Sequence, residues 1–195
     1  MSDDGGGRAS DAGFAVVEST VTHEGVMSTL RVDRIAMPGG RVASREVAQR
    51  PDAVAVVPLT TDGEVVMLRQ YRHPVGRHEL EIPAGLLDVE DEAEREAAQR
   101  ELAEEIGMTA GTLERLTRFW NSAGWSDEAT TVFVGRDLSP ATPDDDFVPE
   151  AEEADMQVLR VPLAEAVALA RSGAITDAKT VIGLLLVGCD ATADL

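Results

Sequence analysis

Between Gly85 and Met108 the chain reads GLLDVEDEAEREAAQRELAEEIGM. The second half of this stretch has the period of a helix, in which successive side chains turn through about 100°. Ala98, Leu102 and Ile106 then form an apolar stripe, and Glu101, Glu104 and Glu105 fall in one neighbouring arc. Carboxylates spaced i, i+3 and i+4 repel by roughly a few tenths of a kcal/mol per pair, so a helix built for stability alone would carry more lysines there. A hard divalent cation reverses the sign of that interaction. This helix and its approach therefore decide how the remaining chain is read.

The 195 residues suit one domain with a modest extension, and 44% hydrophobic content is enough for a core. A formal charge of -19 sets up a field that repels polyanions, which argues against nucleic-acid or anionic-membrane partners. A small anionic substrate would need local arginines or a metal. Cys189 is the sole cysteine, so neither an internal disulfide framework nor a cysteine-based zinc site is available, and a buried thiol on a C-terminal helix is expected. Residues 1–13, MSDDGGGRASDAG, have no apolar segment of the secretory kind and are expected to be a disordered tail. The longest apolar run, Val181 to Val187, is too short to span a bilayer, and a soluble, cytoplasmic protein is expected.

Phe14–Val21, Met27–Met37 and Arg41–Gln49 read as strands, with a turn at Pro38-Gly39-Gly40, and make a small antiparallel unit over residues 14–50. Residues 51–195 form the main domain. In it, Ala53–Leu59, a turn at Thr61-Asp62-Gly63 and Glu64–Gln70 read as a hairpin central to the main sheet. Tyr71, Arg72, His73 and Arg77 are potential substrate contacts before Glu79–Ile82 resumes extended structure and Pro83-Ala84-Gly85 breaks it. Leu113–Trp120 and Ala129–Val134 are strands around a polar loop with an aromatic centre. The acid-rich stretch Leu138–Glu153 reads as a mobile surface loop, followed by a strand at Met156–Val161 and helices at Leu163–Arg171 and Ala178–Cys189. No internal repeat is visible.

Gly85, Glu92, Arg100-Glu101-Leu102, Glu104-Glu105 and Gly107-Met108 together resemble the Nudix box. Glu92 and Arg100 have the box's spacing, but one extra residue separates Gly85 from Glu92, and Asp91 stands where the regular glutamate would. The extra residue is assigned to the loop, because loop insertions cost little whereas a shift within the helix turns every side chain by about 100°. The flanking RQYRHPVGRHELEIPAGLLD, SAGWSDE and EEADM resemble the ADP-ribose pyrophosphatase branch, in particular its actinobacterial members. The resemblance implies an α/β fold, a Nudix α/β/α sandwich around a mixed sheet with the small N-terminal β unit. It also implies a homodimer in which the N-terminal strands exchange or contribute to the partner's active site.

For the chemistry, the resemblance implies Mg²⁺, with Mn²⁺ able to substitute. Glu101 and Glu105 would be the main ligands, the Ala84 carbonyl a third, and Glu104 a further or water-mediated contact. The general base is implied at Glu153, with Glu152 beside it as the alternative. Arg50 and Arg72 would touch diphosphate or adenine, Glu81 would bond adenine or support the metal shell, and Leu86 would line the substrate site; a structural ion pair is the competing reading for the arginines and Glu81. Trp120 and Trp125 read as buried beside strands, with base stacking as the alternative. His73 and His78 have no Asp or His constellation around them and read as surface or hydrogen-bonded residues. The branch usually has a proline where Ala123 stands.

Three functions are thereby set against each other. The leading one is Mg²⁺-dependent hydrolysis of ADP-ribose to AMP and ribose 5-phosphate. Ala123 keeps open a pyrophosphatase acting on another nucleoside diphosphate sugar or dinucleotide. A non-catalytic ADP-ribose-sensing regulator would be expected to have eroded glutamates or an added DNA-binding domain.

Overall fold

A computed structural model describes residues 13–143 and 155–193, the last four by backbone only. The N-terminal tail, Glu152 and Glu153 lie outside the described residues. The chain divides into two compact units, one of residues 1–50 with 122–128, the other of residues 51–121 with 129–195.

In the first unit, β1 (Ala15–Glu24), β2 (Thr29–Ala36) and β3 (Val42–Gln49) form an antiparallel meander in that order. Gly39 and Gly40 have φ of +85° and +80°, which is why the turn before β3 carries two glycines. The segment 122–128 docks on β3: Ala48 N–H donates to the Trp125 carbonyl at 2.8 Å, and Asp127 N–H donates to the Ala48 carbonyl at 3.3 Å. Arg31 joins this attachment to the meander, at 3.1 Å from Asp33 and 3.5 Å from Asp127. Every residue of β1 is exposed, including Val16, Val17 and Val21.

The second unit contains two sheets. One has the order β7 (Ala84–Leu86), β4 (Ala53–Pro58), β9 (Ala129–Pro140), β8 (Met108–Trp120), and is mixed because β4 and β9 run parallel. The other has the order β10 (Gln157–Pro162), β5 (Glu64–Arg72), β6 (Arg77–Glu81) and is antiparallel. The expected central hairpin is therefore corrected. The turn forms, with Thr60 N–H donating to the Glu64 carbonyl at 2.9 Å, but the chain leaves one sheet there and enters the other. The reason is edge occupancy: β7 and β9 already take both edges of β4, and β10 and β6 take both edges of β5.

The alternation of β4 explains why its sequence is continuously apolar. Val54 and Val56 pack with Phe133 against Ala97, Ala98 and Leu102 of helix α1 (Glu94–Ile106). Ala55 and Val57 face the opposite way, into a core with Ala166, Val167 and Ala170 of α2 (Leu163–Ser172) and Leu184 and Val187 of α3 (Ala178–Ala193). With helices on both faces, each strand position meets an apolar layer, so no polar alternation survives. This is the α/β/α sandwich. Gly183 allows α3 its close approach, since a Cβ there would lie 2.7 Å from Cγ2 of Val57.

Candidate active site

Helix α1 fixes one wall. Glu94 and Glu96 occupy its first turn, near the positive end of the helix dipole, and Glu96 accepts a bond from the Ala93 N–H at 3.2 Å. Gly107, in the left-handed conformation, closes the helix by donating to the Ala103 and Leu102 carbonyls. Between these ends the buried Ala98 and Leu102 set the rotation of the helix, which turns Glu101, Glu104 and Glu105 toward the chain preceding it.

Arg100 organises that face. Its Nε and Nη2 each donate to the Glu92 carboxylate at 2.9 Å, while Nη1 donates to Glu101 at 2.7 Å and to Glu104 at 3.2 Å. Nη2 also reaches the Leu86 carbonyl at 3.2 Å. One planar guanidinium thus ties the loop before the helix to two of the helix carboxylates. Glu92, rather than Asp91, makes the bidentate pair. Asp91 has a φ of +62°, a left-handed conformation in which the loop accommodates its extra residue.

The strand β7 supplies the floor. Ala84 donates its N–H to Glu105 at 2.8 Å, and a Cβ on Gly85 would overlap the Glu101 carboxyl group. Glycine is therefore required for the backbone to lie against that carboxylate. Burial pushes Glu101 up to about 7, with Glu104 and Asp88 adding to the rise and Arg100 opposing it. Burial likewise pushes Glu105 up to about 8, reinforced by Glu101 and opposed by the Ala84 N–H, Lys179 and Arg72. Two withdrawn carboxylates, each raised by burial and by carboxylate neighbours, are a donor pair suited to a hard divalent cation. Among the described residues, no three His, Cys, Asp or Glu side chains are grouped so as to hold an ion by themselves. An ion held by Glu101 and Glu105 would complete its shell with water, backbone or substrate oxygens, as Mg²⁺ commonly does.

A second wall comes from β5, β6 and the start of α3, which line a cavity of about 400 Å³. Arg72 donates from Nε and Nη2 to the two oxygens of Glu81, at 2.8 and 2.7 Å, and Lys179 donates to Glu81 at 2.5 Å and to Asp177 at 2.9 Å. Burial works to raise Glu81, but the Arg72 bonds and the nearby Lys179 outweigh it and hold this carboxyl at about 2. Arg72 and Glu81 are thus partners of each other, and Arg72 remains 41% exposed on the cavity wall. On the same wall, Arg77 bonds Glu79 and Thr176, both at 2.6 Å.

Sequence reasoning missed Lys179, Asp177 and Glu79. A local signal existed for one of them: Asp177 precedes the helix and accepts from the Thr180 N–H at 3.0 Å, the pattern of an aspartate cap. Arg50 belongs to the first unit, where its N–H donates to Asp127 at 3.3 Å. Trp120 and Trp125 are half-exposed rather than buried, and the Arg118 guanidinium lies 4.9 Å from the Trp120 ring. Cys189 is exposed rather than buried, since α3 turns this position away from the α2 contact that Gly188 makes with Val167. The ring of His78 lies 5.5 Å from that of Tyr71, edge-on, and His73 packs 6.4 Å from the same ring.

The NUDIX domain model matches residues 49–182, and the chain belongs to that family. It is similar to the ADP-ribose pyrophosphatase of Mycobacterium tuberculosis, 39% identical over 89% of this chain and 83% of the relative, and to that of Bacillus subtilis, 37% identical over 84% and 88%. Among solved structures it superposes on an ADP compounds hydrolase with a TM-score of 0.80 and 25% identity, covering 96% of this chain and 98% of the other. No helix among the described residues is long and apolar enough to cross a membrane.

Proposed function

We propose that this protein is a Mg²⁺-dependent Nudix pyrophosphatase that hydrolyses ADP-ribose to AMP and ribose 5-phosphate. The observation that carries the reading is the Glu101–Glu105 pair, the first buried and the second half-buried, held against the backbone of Gly85 and Ala84 on a helix where Arg100 bonds Glu101 and Glu104. The names of the two relatives with 37 to 39% identity support the substrate. Glu101 and Glu105 hold the metal, with Glu104 and the Ala84 carbonyl as further candidates. When bound, the ion neutralises charge on the phosphoryl oxygens.

The hydrolysis requires one water and one base. Water attacks a phosphorus of the diphosphate, its proton passes to Glu153, and the bridging P–O bond breaks so that each product leaves as a monophosphate. Glu152 is the alternative base. Arg72, exposed on the cavity wall, is directed at the diphosphate, with Arg50 and Leu86 as further substrate contacts. A homodimer assembled through residues 14–50 is part of this proposal, and the exposed valines of β1 support it.

A panel of nucleoside diphosphate compounds with Mg²⁺, scored for the nucleoside monophosphate released (AMP from ADP-ribose) by chromatography, tests the reading. ADP-ribose should be turned over fastest. Loss of turnover in Glu105→Gln supports the metal role, and unchanged turnover in Glu153→Gln would reassign the base. A panel in which another nucleotide sugar leads would select the second substrate reading, which Ala123 keeps open and which a 32% identical relative named GDP-mannose pyrophosphatase illustrates.

A further inference from the structure

We propose that Lys179 is a positioning residue for substrate binding, acting through Glu81 to hold Arg72 in the orientation that receives the diphosphate. The inference rests on the pyrophosphatase reading above and adds a residue to its site.

The geometry forms one chain of alternating charge. Asp177 receives Lys179 at 2.9 Å, Lys179 donates on to Glu81 at 2.5 Å, and Glu81 holds Arg72 through both carboxylate oxygens. Burial is deepest at Glu81, which is 2% exposed, against 14% for Lys179, 19% for Asp177 and 41% for Arg72. All four border the cavity, and Arg72 is the most exposed of them. Glu81 uses two of the five guanidinium N–H donors, which leaves the rest of the fork for an anionic ligand.

The anchor of the chain is rigid. Asp177 accepts from the Thr180 N–H at 3.0 Å, and the buried Thr180 hydroxyl accepts from the Ile82 N–H at 2.9 Å, next to Glu81 in sequence. The first turn of α3 is therefore fastened to the end of β6, and the Lys179 ammonium is presented to Glu81 at a fixed height. Without it, Glu81 would have Arg72 as its only cation among the described residues and would draw the guanidinium inward, away from the cavity. Lys179 and Arg72 both also act electrostatically on Glu105, which places this chain beside the metal-side carboxylates.

The test is binding without turnover. Calorimetry in EDTA measures the affinity of native protein, Lys179→Met, Lys179→Arg, Arg72→Ala and Arg72→Ala/Lys179→Met for whichever compound of the panel native protein hydrolyses fastest. Lys179→Met should weaken binding about tenfold, and Lys179→Arg should restore it to within about threefold, because the charge and the donor to Glu81 return. In the Arg72→Ala background the lysine substitution should have no further effect, since the residue through which it acts is gone. Equal losses in both backgrounds, or native affinity in Lys179→Met, would overturn the proposal. Thermal melts of each variant separate a folding defect from a binding one: if Lys179→Met melts early, Lys179→Arg and the Arg72→Ala pair still decide the outcome. Hydrolysis of none of the panel by native protein would remove the pyrophosphatase reading together with this one, whereas binding with no dependence on Lys179 removes this one alone.

Discussion

Two sets of buried carboxylates in the second unit have opposite electrostatics. Glu81 is surrounded by the protein's own cations, Arg72 and Lys179, and is held at about 2. Glu101 and Glu105 are raised to about 7 and about 8, by burial first and then by neighbouring carboxylates. Arg100 reaches Glu101 but divides its donors among Glu92, Glu104 and Leu86 as well. The contrast separates a carboxylate held charged by cations of the chain itself from a pair without that compensation, the pair to which the proposed metal role is given.

Removing members of each set tests the contrast, and the largest effect is expected on the metal side. Glu105→Gln should lower turnover about a thousandfold, or about 4 kcal/mol of transition-state stabilisation, without lowering the melting temperature of the metal-free protein. Glu81→Gln should act in the reverse sense. It leaves Lys179 and Arg72 facing a neutral amide and should cost about 3 kcal/mol of stability in denaturant titrations. A Glu81→Gln variant as stable as native protein would show that its ion pairs do not hold the scaffold.

The pH dependence should divide in the same way. Between the ordinary carboxyl value of 4.5 and about 7 to 8, folded protein keeps protons on Glu101 and Glu105 that unfolded chains have released. Metal-free protein should therefore lose stability as pH rises through that window, by at most about 1.4 kcal/mol per pH unit for each group. Added Mg²⁺ should flatten the loss, because it displaces those protons. Glu81 contributes with the opposite sign: its stabilisation is complete above 4.5 and is lost as pH falls toward about 2. Melting temperatures across about pH 3 to 9, with and without Mg²⁺, check both limbs.

The smallest expected effect concerns geometry rather than charge. Gly85→Ala places a methyl group where the Glu101 carboxyl lies, and the side chain must swing aside. Mg²⁺ affinity, followed by activation of turnover or by calorimetry, should fall about tenfold. Unchanged affinity would mean that Glu101 is not held by this contact.

Much of the metal side was legible because it is local. The spacing of Glu101, Glu104 and Glu105 needs only the period of a helix, whereas the bidentate pair of Arg100 with Glu92 is set by the course of the loop before the helix. The cavity side was largely illegible. Arg72 and Glu81 stood out by resemblance, but the bidentate pair between them depends on the register of β5 with β6, and Lys179 reaches Glu81 from 98 residues away in sequence. The SAGWSDE stretch was visible as a loop between strands, yet its attachment to β3 depends on backbone bonds from Ala48 that leave no mark in composition.

Thus the sequence by itself determined the carboxylate arc of α1 and the succession of most strands and helices, because each is set by neighbours within a few turns or a single strand. Tertiary structure alone decided that β4 and β5 belong to different sheets, that 122–128 groups with the first unit, and which buried carboxylate meets a lysine. Those outcomes turn on which strand edges are already occupied and on contacts closed over long loops, and both are properties of the whole packed chain.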